Sequence, residues 1–573
     1  MAMHKLEAEN VAEALLELLA LRGIEYFIAG GAGTDFPYII EAFARAEAEG
    51  RKVPTPITAV HEINAVAMAH GYTMVSGKPI FTMLHTIVGL ANGIGGVINA
   101  SRARVPLFLC AGKTATAESG HAAARFHVVQ WGQEAFDQAG MLREFVKWDY
   151  QLQDVAQLEA SIDRGLAIAE AAPSGPVYMT LPVEVGGQPI EDHQVASSAK
   201  IVPPAASVPS SENLDKAIEL LLGAQKPCII TASLGRKPDA VAQLVQFAET
   251  LAIPVLEYFP THMNFPRDHA LHAGFEVDEY IAAADLVMVI EHDAPWTRVT
   301  ARPGDEATII VLDDDPLYCN YPYRGFPADL LLCGDAKASL QALNQALQNR
   351  KPDDKRLSAR LQECKQEHDG QAQKWKANAL AVKDATPIQT SWLSHCVGEI
   401  FNAETDILLT EFVLDPTQVC VTRPGSYFDH SHAGGLGWCV SAALGAKLAA
   451  PEKNVICCVG ERSYTFGVPL ASHHMSAMHE LPVLYIIFNN AAYERTRLGS
   501  RRVIKQGKLQ ESAKVPLCEL EPVPAYEKIC EAAGGYAERV DAPAELPAAL
   551  ERALKVVVDE GRQALVNVIC AKS

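Results

Sequence analysis

The chain has 573 residues, too many for one hydrophobic core and enough for about three domains. With 49% hydrophobic and 21% charged residues it has the balance of a soluble globular protein, and a net charge of −20 without a basic stripe excludes nucleic acid as a partner. No apolar run is long enough to cross a bilayer, so no membrane partner is expected, and the 13 cysteines show neither a Cys-x-x-Cys pair nor zinc-site spacing.

The opening MAMHKLEAENVAEALLELLALRG combines acidic residues with an amphipathic repeat, unlike a signal peptide, and a cytoplasmic location is expected. Asn10 to Leu21 has helical spacing and stops at Gly23; Tyr26 to Ala29 is a strand running into GGAGTDFP. Gly30, Gly31 and Gly33 would let backbone approach a ligand, although any tight strand-to-helix turn favours glycine. A second strand ends at Val60. A helix from His61, with Ala65, Ala69 and Gly71 on its packed face, then places Glu62 where the helix dipole favours a carboxylate. FTMLHTIVGLANGIGGVINASRARVPLFLCAGKT follows as strand, glycine loop, helix and strand. His85 at the first strand's end is either a packing residue or a polar group facing a substrate. SGPVYMTLPVEV closes this unit with a strand and Pro182.

Residues 188–212, with Pro203, Pro204 and Pro209, form a linker. A new α/β pattern has helix Ala217 to Leu222, strand Pro227 to Ala232, helix Ala240 to Leu251 and strand Ile253 to Leu256. IAAADLVMVIEHD and ATIIVLDDD extend it. Its turn ASLGRKPDA lacks Gly-x-Gly-x-x-Gly, so nucleotide or flavin binding is not supported. Asp313, Asp314 and Asp315 lack calcium-loop spacing. Lys351 to Asp384 is a charged, helical second linker, and the last unit starts near Thr386 with strand Asp406 to Thr410. Further on, the apolar run Val455 to Val459, with Cys457 and Cys458 as small core residues, stops at Gly460, Glu461 and Arg462. A helix from Val468 to Glu480 and a strand from Pro482 to Phe488 lead into Asn489 and Asn490. Such a βαβ unit opens both strand ends on one edge, where α/β sheets bind ligands. There Glu461 and Asn490 would offer hard oxygen donors to Mg²⁺; an ordinary βαβ unit with polar loops is the alternative.

Gly460-Glu461-Arg462, followed by Asn489-Asn490, resembles the Gly-Asp-Gly and Asn-Asn cofactor motif of thiamine-diphosphate enzymes. Glu replaces Asp, Arg replaces the second Gly, and the interval is slightly longer than in acetolactate synthases. VHEINAVAMAHGY is similar to the family block whose glutamate hydrogen-bonds N1′ of the aminopyrimidine, which implies that role for Glu62. The resemblance further implies cofactor contacts from Leu436, as the apolar wedge, and from Gly460, Glu461, Arg462, Ser463 and Asn490. It implies metal ligation by Glu461, Asn490 and the carbonyl of Ala492. Thr34 and Asp35 are implied in substrate contact, and His85 and Gln133 in catalysis, Gln133 by hydrogen-bonding a carbonyl intermediate. His430 and His432 lie just upstream of Leu436, and no spacing argument chooses between them as substrate-facing groups.

The implied fold is α/β, three doubly wound parallel-sheet domains: pyrimidine-binding (1–188), central Rossmann-like (189–350) and, after a linker (351–384), diphosphate-binding (385–573). Thiamine diphosphate and Mg²⁺ are the implied cofactors, and a homodimer at minimum, with a homotetramer common in the family, is the implied assembly. The implied chemistry is attack of a C2 ylide on a small 2-oxo acid such as pyruvate, or on an aldehyde, loss of CO₂ from the acid, and protonation or ligation of the enamine. Acetolactate-synthase-like carboligation ranks first on block similarity. Simple 2-oxo acid decarboxylation or benzaldehyde-lyase-like cleavage comes next; acyl-CoA lyase activity ranks lower for want of a basic segment. Outside catalysis, the alternative is a cofactor-binding regulatory protein decayed from the family, favoured by the altered Gly-Glu-Arg and opposed by Glu62.

Overall fold

A computed structural model describes residues 2–191, 193–348, 350 and 354–572. Three parallel sheets follow one another along the chain. The first is built from β1 (Tyr26–Gly30), β2 (Thr55–Ala59), β3 (Phe81–Leu84), β4 (Phe108–Lys113), β5 (Asp149–Gln151) and β6 (Val177–Pro182), in the order 2-1-3-4-6-5. The second contains β7 (Pro227–Thr231), β8 (Val255–Glu257), β9 (Leu286–Ile290), β10 (Thr308–Asp313) and β11 (Leu330–Cys333), in the order 8-7-9-10-11. The third contains β12 (Asp406–Glu411), β13 (Tyr427–Asp429), β14 (Asn454–Gly460), β15 (Leu484–Asn489), β16 (Tyr536–Val540) and β17 (Ala564–Ile569), in the order 13-12-14-15-17-16. Its strands read as unbroken apolar runs, such as LYIIFN, because helices cover both faces of a parallel sheet; every residue of β15 is buried. Met3–Lys5 and Gln194–Ala196 pair as a separate antiparallel ribbon.

Helix α1 (Val11–Leu21) precedes β1, and α2 (Pro37–Glu49), α3 (Glu62–Ser76) and α4 (Thr86–Arg102) cross over between the first strands. The charged linker forms α5 (Asp354–Ala381), while residues 351–353 at its expected start lie outside the described residues. In the last sheet, α6 (Trp438–Ala449) precedes β14, and α7 (Glu461–Phe466) and α8 (Pro469–Met478) connect β14 to β15. The helix expected from Val468 to Glu480 is α8, and α7 is an additional short helix ahead of it, at Glu461–Phe466. Val468 is left-handed at φ +48°, and Pro469 opens the second helix at the position where its missing N–H costs nothing. Among the described residues no helix is long and apolar enough to cross a membrane.

One helix crossing joins the first sheet to the third. α3 has small residues on the face toward α6, and it starts cleanly because the His61 side chain accepts from the Ile63 amide. Backbone meets backbone at the crossing: a Cβ on Gly71 would collide with the Ala442 carbonyl, and one on Gly445 with the Met68 carbonyl. Asn64, buried in α3, donates its amide to Ser441 Oγ (2.8 Å), Ser472 Oγ (2.8 Å) and the Gly467 carbonyl (2.7 Å). Asn99 of α4 adds paired bonds to Gly435, 2.8 Å to its carbonyl and 3.1 Å from its amide. Gly445→Ala gains up to about 1 kcal/mol of helix propensity. The overpacked contact costs about 1–3 kcal/mol. The variant is therefore expected to unfold at lower temperature and lower urea concentration than wild type. Unchanged midpoints would show that α3 and α6 separate without penalty.

Candidate active site

Both outer sheets have a crevice where the strand order reverses, and polar side chains gather at the strand ends there. In the third sheet the crevice lies between β12 and β14. A cavity of about 270 Å³ opens over it, lined by Glu411, Leu436, Gly460, Glu461, Arg462, Ser463, Asn490 and Ala492, with Arg495 at its edge. Glu461 accepts from the amides of Ala492 (3.1 Å) and Asn490 (3.4 Å), and Asn490 Oδ1 accepts from the same Ala492 amide (3.1 Å). Sharing that N–H brings carboxylate and amide oxygens together. The Ala492 carbonyl accepts from Glu494 at 2.9 Å and keeps a second lone pair. Burial pushes the Glu461 carboxyl above its ordinary range, against the backbone amides and the charge of Arg462. A cation placed there would relieve the carboxylate. Arg462 lies over the Tyr493 ring at 5.1 Å and lines the cavity, where it can meet an anion. Glu411, at the end of β12, accepts from the amides of Gly437 (2.8 Å) and Cys439 (2.9 Å), which fixes the turn carrying Leu436.

The crevice of the first sheet lies between β1 and β3. Here the Gly-rich turn after β1 meets Glu62 and His85. A Cβ on Gly31 would sit 2.6 Å from Glu62 Oε1, and one on Gly33 would collide with the His85 ring, so glycine is required for the approach. Glu62 is buried, and Oε2 accepts from Asn92 at 3.1 Å; Oε1 has no hydrogen bond from the described residues. His85 Nδ1 bonds Asp35 Oδ1, and His85 Nε2 lies 3.0 Å from Gln133 Nε2. Asp35 also accepts from the Thr86 amide at 3.3 Å, and Thr86 takes a strained φ of +42° to reach it. Burial pulls the His85 imidazole down, but the hydrogen bond and charge of Asp35, with Glu62 adding to them, raise it above the ordinary histidine value. Thr34 Oγ1 and Gln133 Oε1 are buried and have no hydrogen-bond partner. They are free to bind something else.

The structure therefore gathers Leu436, Gly460, Glu461, Arg462, Ser463, Asn490 and Ala492 in one cavity, and Thr34, Asp35, Glu62, His85 and Gln133 in another place. Glu62 does not line the cavity of Glu461. Three expectations need correction. Asp35 has no exposed side-chain surface for a substrate and stands behind His85. His430 is buried, with Nδ1 against the Ser431 carbonyl and Nε2 2.8 Å from the Gly435 carbonyl, so its ring braces the loop before Leu436. His432 turns to the central sheet, where Nδ1 meets Asp293 at 2.6 Å. Sequence reasoning missed Glu411, Asn92 and Asn64. Glu411 carries the same strand-end signal that found Glu461; the two asparagines sit inside helices, Asn64 two residues after Glu62 in the same block, where nothing local shows their partners.

Three protein-family models match the chain in order. They are described as thiamine pyrophosphate enzyme N-terminal TPP binding domain (residues 9–141), central domain (214–343) and C-terminal TPP binding domain (415–568). A benzoylformate decarboxylase of Pseudomonas aeruginosa is 27% identical over 459 residues, 77% of this chain and 80% of its own. An acetolactate synthase isozyme 3 large subunit of Escherichia coli is 23% identical, covering 87% of this chain and 85% of its own. The crystal structure of benzoylformate decarboxylase from Polynucleobacter necessarius superposes with a TM-score of 0.78 over 99% of each chain at 19% identity, which shows a shared fold.

Asp35→Asn removes the charge that holds the His85 proton and leaves the burial that expels it. The His85 imidazole is expected to titrate at lower pH in the variant, read by NMR of labelled histidine with His85→Gln to assign the signal. An unmoved midpoint would take Asp35 out of that role.

Proposed function

The chain belongs to the thiamine pyrophosphate enzyme family and is an enzyme that forms or breaks carbon–carbon bonds, and from this we propose that it decarboxylates a 2-oxo acid and releases the aldehyde. The donor set fits the cofactor. Glu461, Asn490 and the Ala492 carbonyl are hard oxygens that would hold Mg²⁺, Arg462 would face the diphosphate, and Leu436 would support the bent cofactor. Glu62 Oε1 is free to accept from the aminopyrimidine ring. When bound, thiamine diphosphate supplies the nucleophilic carbon and the electron sink.

The observation that carries decarboxylation ahead of ligation is the chain Asp35–His85–Gln133 beside Glu62. Asp35 raises the proton affinity of His85, so the imidazole would serve as the proton donor to the carbon that loses CO₂. With Nδ1 committed to Asp35, Nε2 is the atom that exchanges the proton. Gln133 donates to a neutral Nε2; a flip of its amide would present Oε1 to a protonated one. Thr34 Oγ1, unpartnered beside this group, would bind the substrate carboxylate. The benzoylformate decarboxylase relative supports the same reading, and the acetolactate synthase relative supports ligation as its rival.

Products decide between them. Incubated with phenylglyoxylate or pyruvate, thiamine diphosphate and Mg²⁺, the enzyme is expected to release CO₂ and an equal amount of aldehyde, and His85→Ala to lower that rate about 100-fold. A 2-hydroxyketone as main product, formed equally well by His85→Ala, would instead establish ligation.

Because Glu62 and the Glu461 cavity lie apart within one chain, we propose that a homodimer joins Glu62 of one copy to Glu461 of the other. Glu62→Gln and Glu461→Ala are each expected to be inactive alone. Coexpressed in equal amounts they should recover about one quarter of wild-type activity, since half of randomly formed dimers carry one intact site of two. No recovery would mean that each site is built from a single chain.

A further inference from the structure

At the end of β9, His292 and Asp293 of the central sheet face His432 of the loop after β13. We propose that these three residues form a second metal site, for a borderline transition ion of the Zn²⁺ class, that ties the central sheet to the third. His292 Nδ1, Asp293 Oδ1 and His432 Nδ1 lie within 4.8 Å of one another, 3.5 Å and 2.6 Å separating the two nitrogens from Asp293 Oδ1. The second contact of each ring sets its tautomer. His292 Nε2 lies 2.8 Å from the Tyr258 carbonyl and His432 Nε2 2.9 Å from the Phe259 carbonyl. A carbonyl only accepts, so each Nε2 carries a ring proton; the His292 Nδ1 lone pair then faces the Ala294 amide and Asp293, and His432 Nδ1, which shares a proton with Asp293 Oδ1, offers its lone pair once that proton is displaced. Three ligand atoms thus converge, and a metal ion would take the place of the proton between His432 and Asp293. Backbone carbonyls that fix imidazole ligands in this way are the usual outer support of a metal-binding histidine.

The rest of the surroundings fits. Asp293 is anchored at its other oxygen by the Tyr321 hydroxyl (2.6 Å), so Oδ1 is the ligand. His292 Nδ1 also accepts from the Ala294 amide at 3.2 Å, a contact that a metal would displace. A cavity of about 20 Å³ beside Asp293 and His432 has room for one water as a fourth ligand. Arginines are near, but they are engaged. Arg104 pairs with Asp313 at 2.6 Å, Arg236 pairs with Glu291, Arg102 lies over the Tyr321 ring, and Arg324 donates to the backbone carbonyls of Asp293 and His292. Two imidazoles with one carboxylate select a different ion from the all-oxygen set of Glu461, Asn490 and Ala492. That chemical difference separates the sites experimentally.

The test is a Co²⁺ titration of chelator-treated full-length protein with thiamine diphosphate and excess Mg²⁺ present. One Co²⁺ per chain is expected to give the intense visible bands of a low-coordinate nitrogen-ligated ion, displaced by Zn²⁺. The bands should be lost in His292→Ala and in His432→Gln, which keeps a donor for the Phe259 carbonyl, and retained in Glu461→Ala. Circular dichroism shows that each variant is folded. Only the weak bands of six-coordinate Co²⁺ in wild type, or intense bands that persist in both folded histidine variants, would overturn the site; a proton alone would then lie between His432 and Asp293.

Discussion

The contact on which the rest depends is the approach of α3 to α6, close enough that a glycine of each helix touches the other's backbone. The first residue of α3 is Glu62, and the turn that opens α6 carries Leu436. Any change in the helix spacing therefore moves a site residue at each end. Asn64 gives the crossing its register, because its buried amide reaches three acceptors on the third sheet's side at once. Sliding would leave this buried amide without its partners, at a cost of about 1–3 kcal/mol. The stability of the interface and the geometry of the site are the same problem for this chain.

On the first sheet the constraint becomes electrostatic. The glycines after β1 admit Glu62 and the His85 ring to within contact of backbone, and burial there would leave a lone imidazole neutral. Asp35 reverses that outcome. It is itself enclosed, with no exposed side-chain surface, and the Thr86 amide and the His85 ring take up its oxygens. The strained Thr86 backbone is the cost of that arrangement, about 1–3 kcal/mol. What results is a histidine with raised proton affinity, bonded to Gln133, whose own Oε1 is buried and unpartnered.

The parallel sheets were legible because most of their central strands are short, mainly apolar runs, and Glu62, Glu461 and Asn490 lie just past strand ends. Position along a strand is a local property. Direction of a side chain in a loop is not, and there the reading lost precision. His430 and His432 are two residues apart, yet one ring braces its own loop and the other reaches a different sheet. Nothing within the segment encodes that choice. Asp35 and His85 are 50 residues apart in sequence, so only the adjacency of β1 and β3 reveals that they act as a pair. Asn64 and Asn92 were invisible for a related reason: an asparagine inside a helix is usually solvent-facing, and only the helix crossing or the nearby carboxylate gives it a partner.

The two outer sheets share one strand order, and the central sheet starts in the same way, 8-7-9, so all three have a reversal point where a crevice forms. What fills the crevice distinguishes them. In the third sheet about 270 Å³ stays open. In the central sheet, Arg104 reaches across from the first sheet to Asp313, Arg236 meets Glu291, and Tyr318 donates to Asp313 at 2.7 Å. About 20 Å³ remains there, a volume for one water. Charges buried in this way stabilise little by themselves, since desolvation offsets most of their attraction. Breaking one partner of such a pair is nonetheless expensive, so the Arg104–Asp313 contact holds the first and central sheets in one relation without a ligand. The filled central crevice thereby acts as the joint, while the third sheet's crevice stays open.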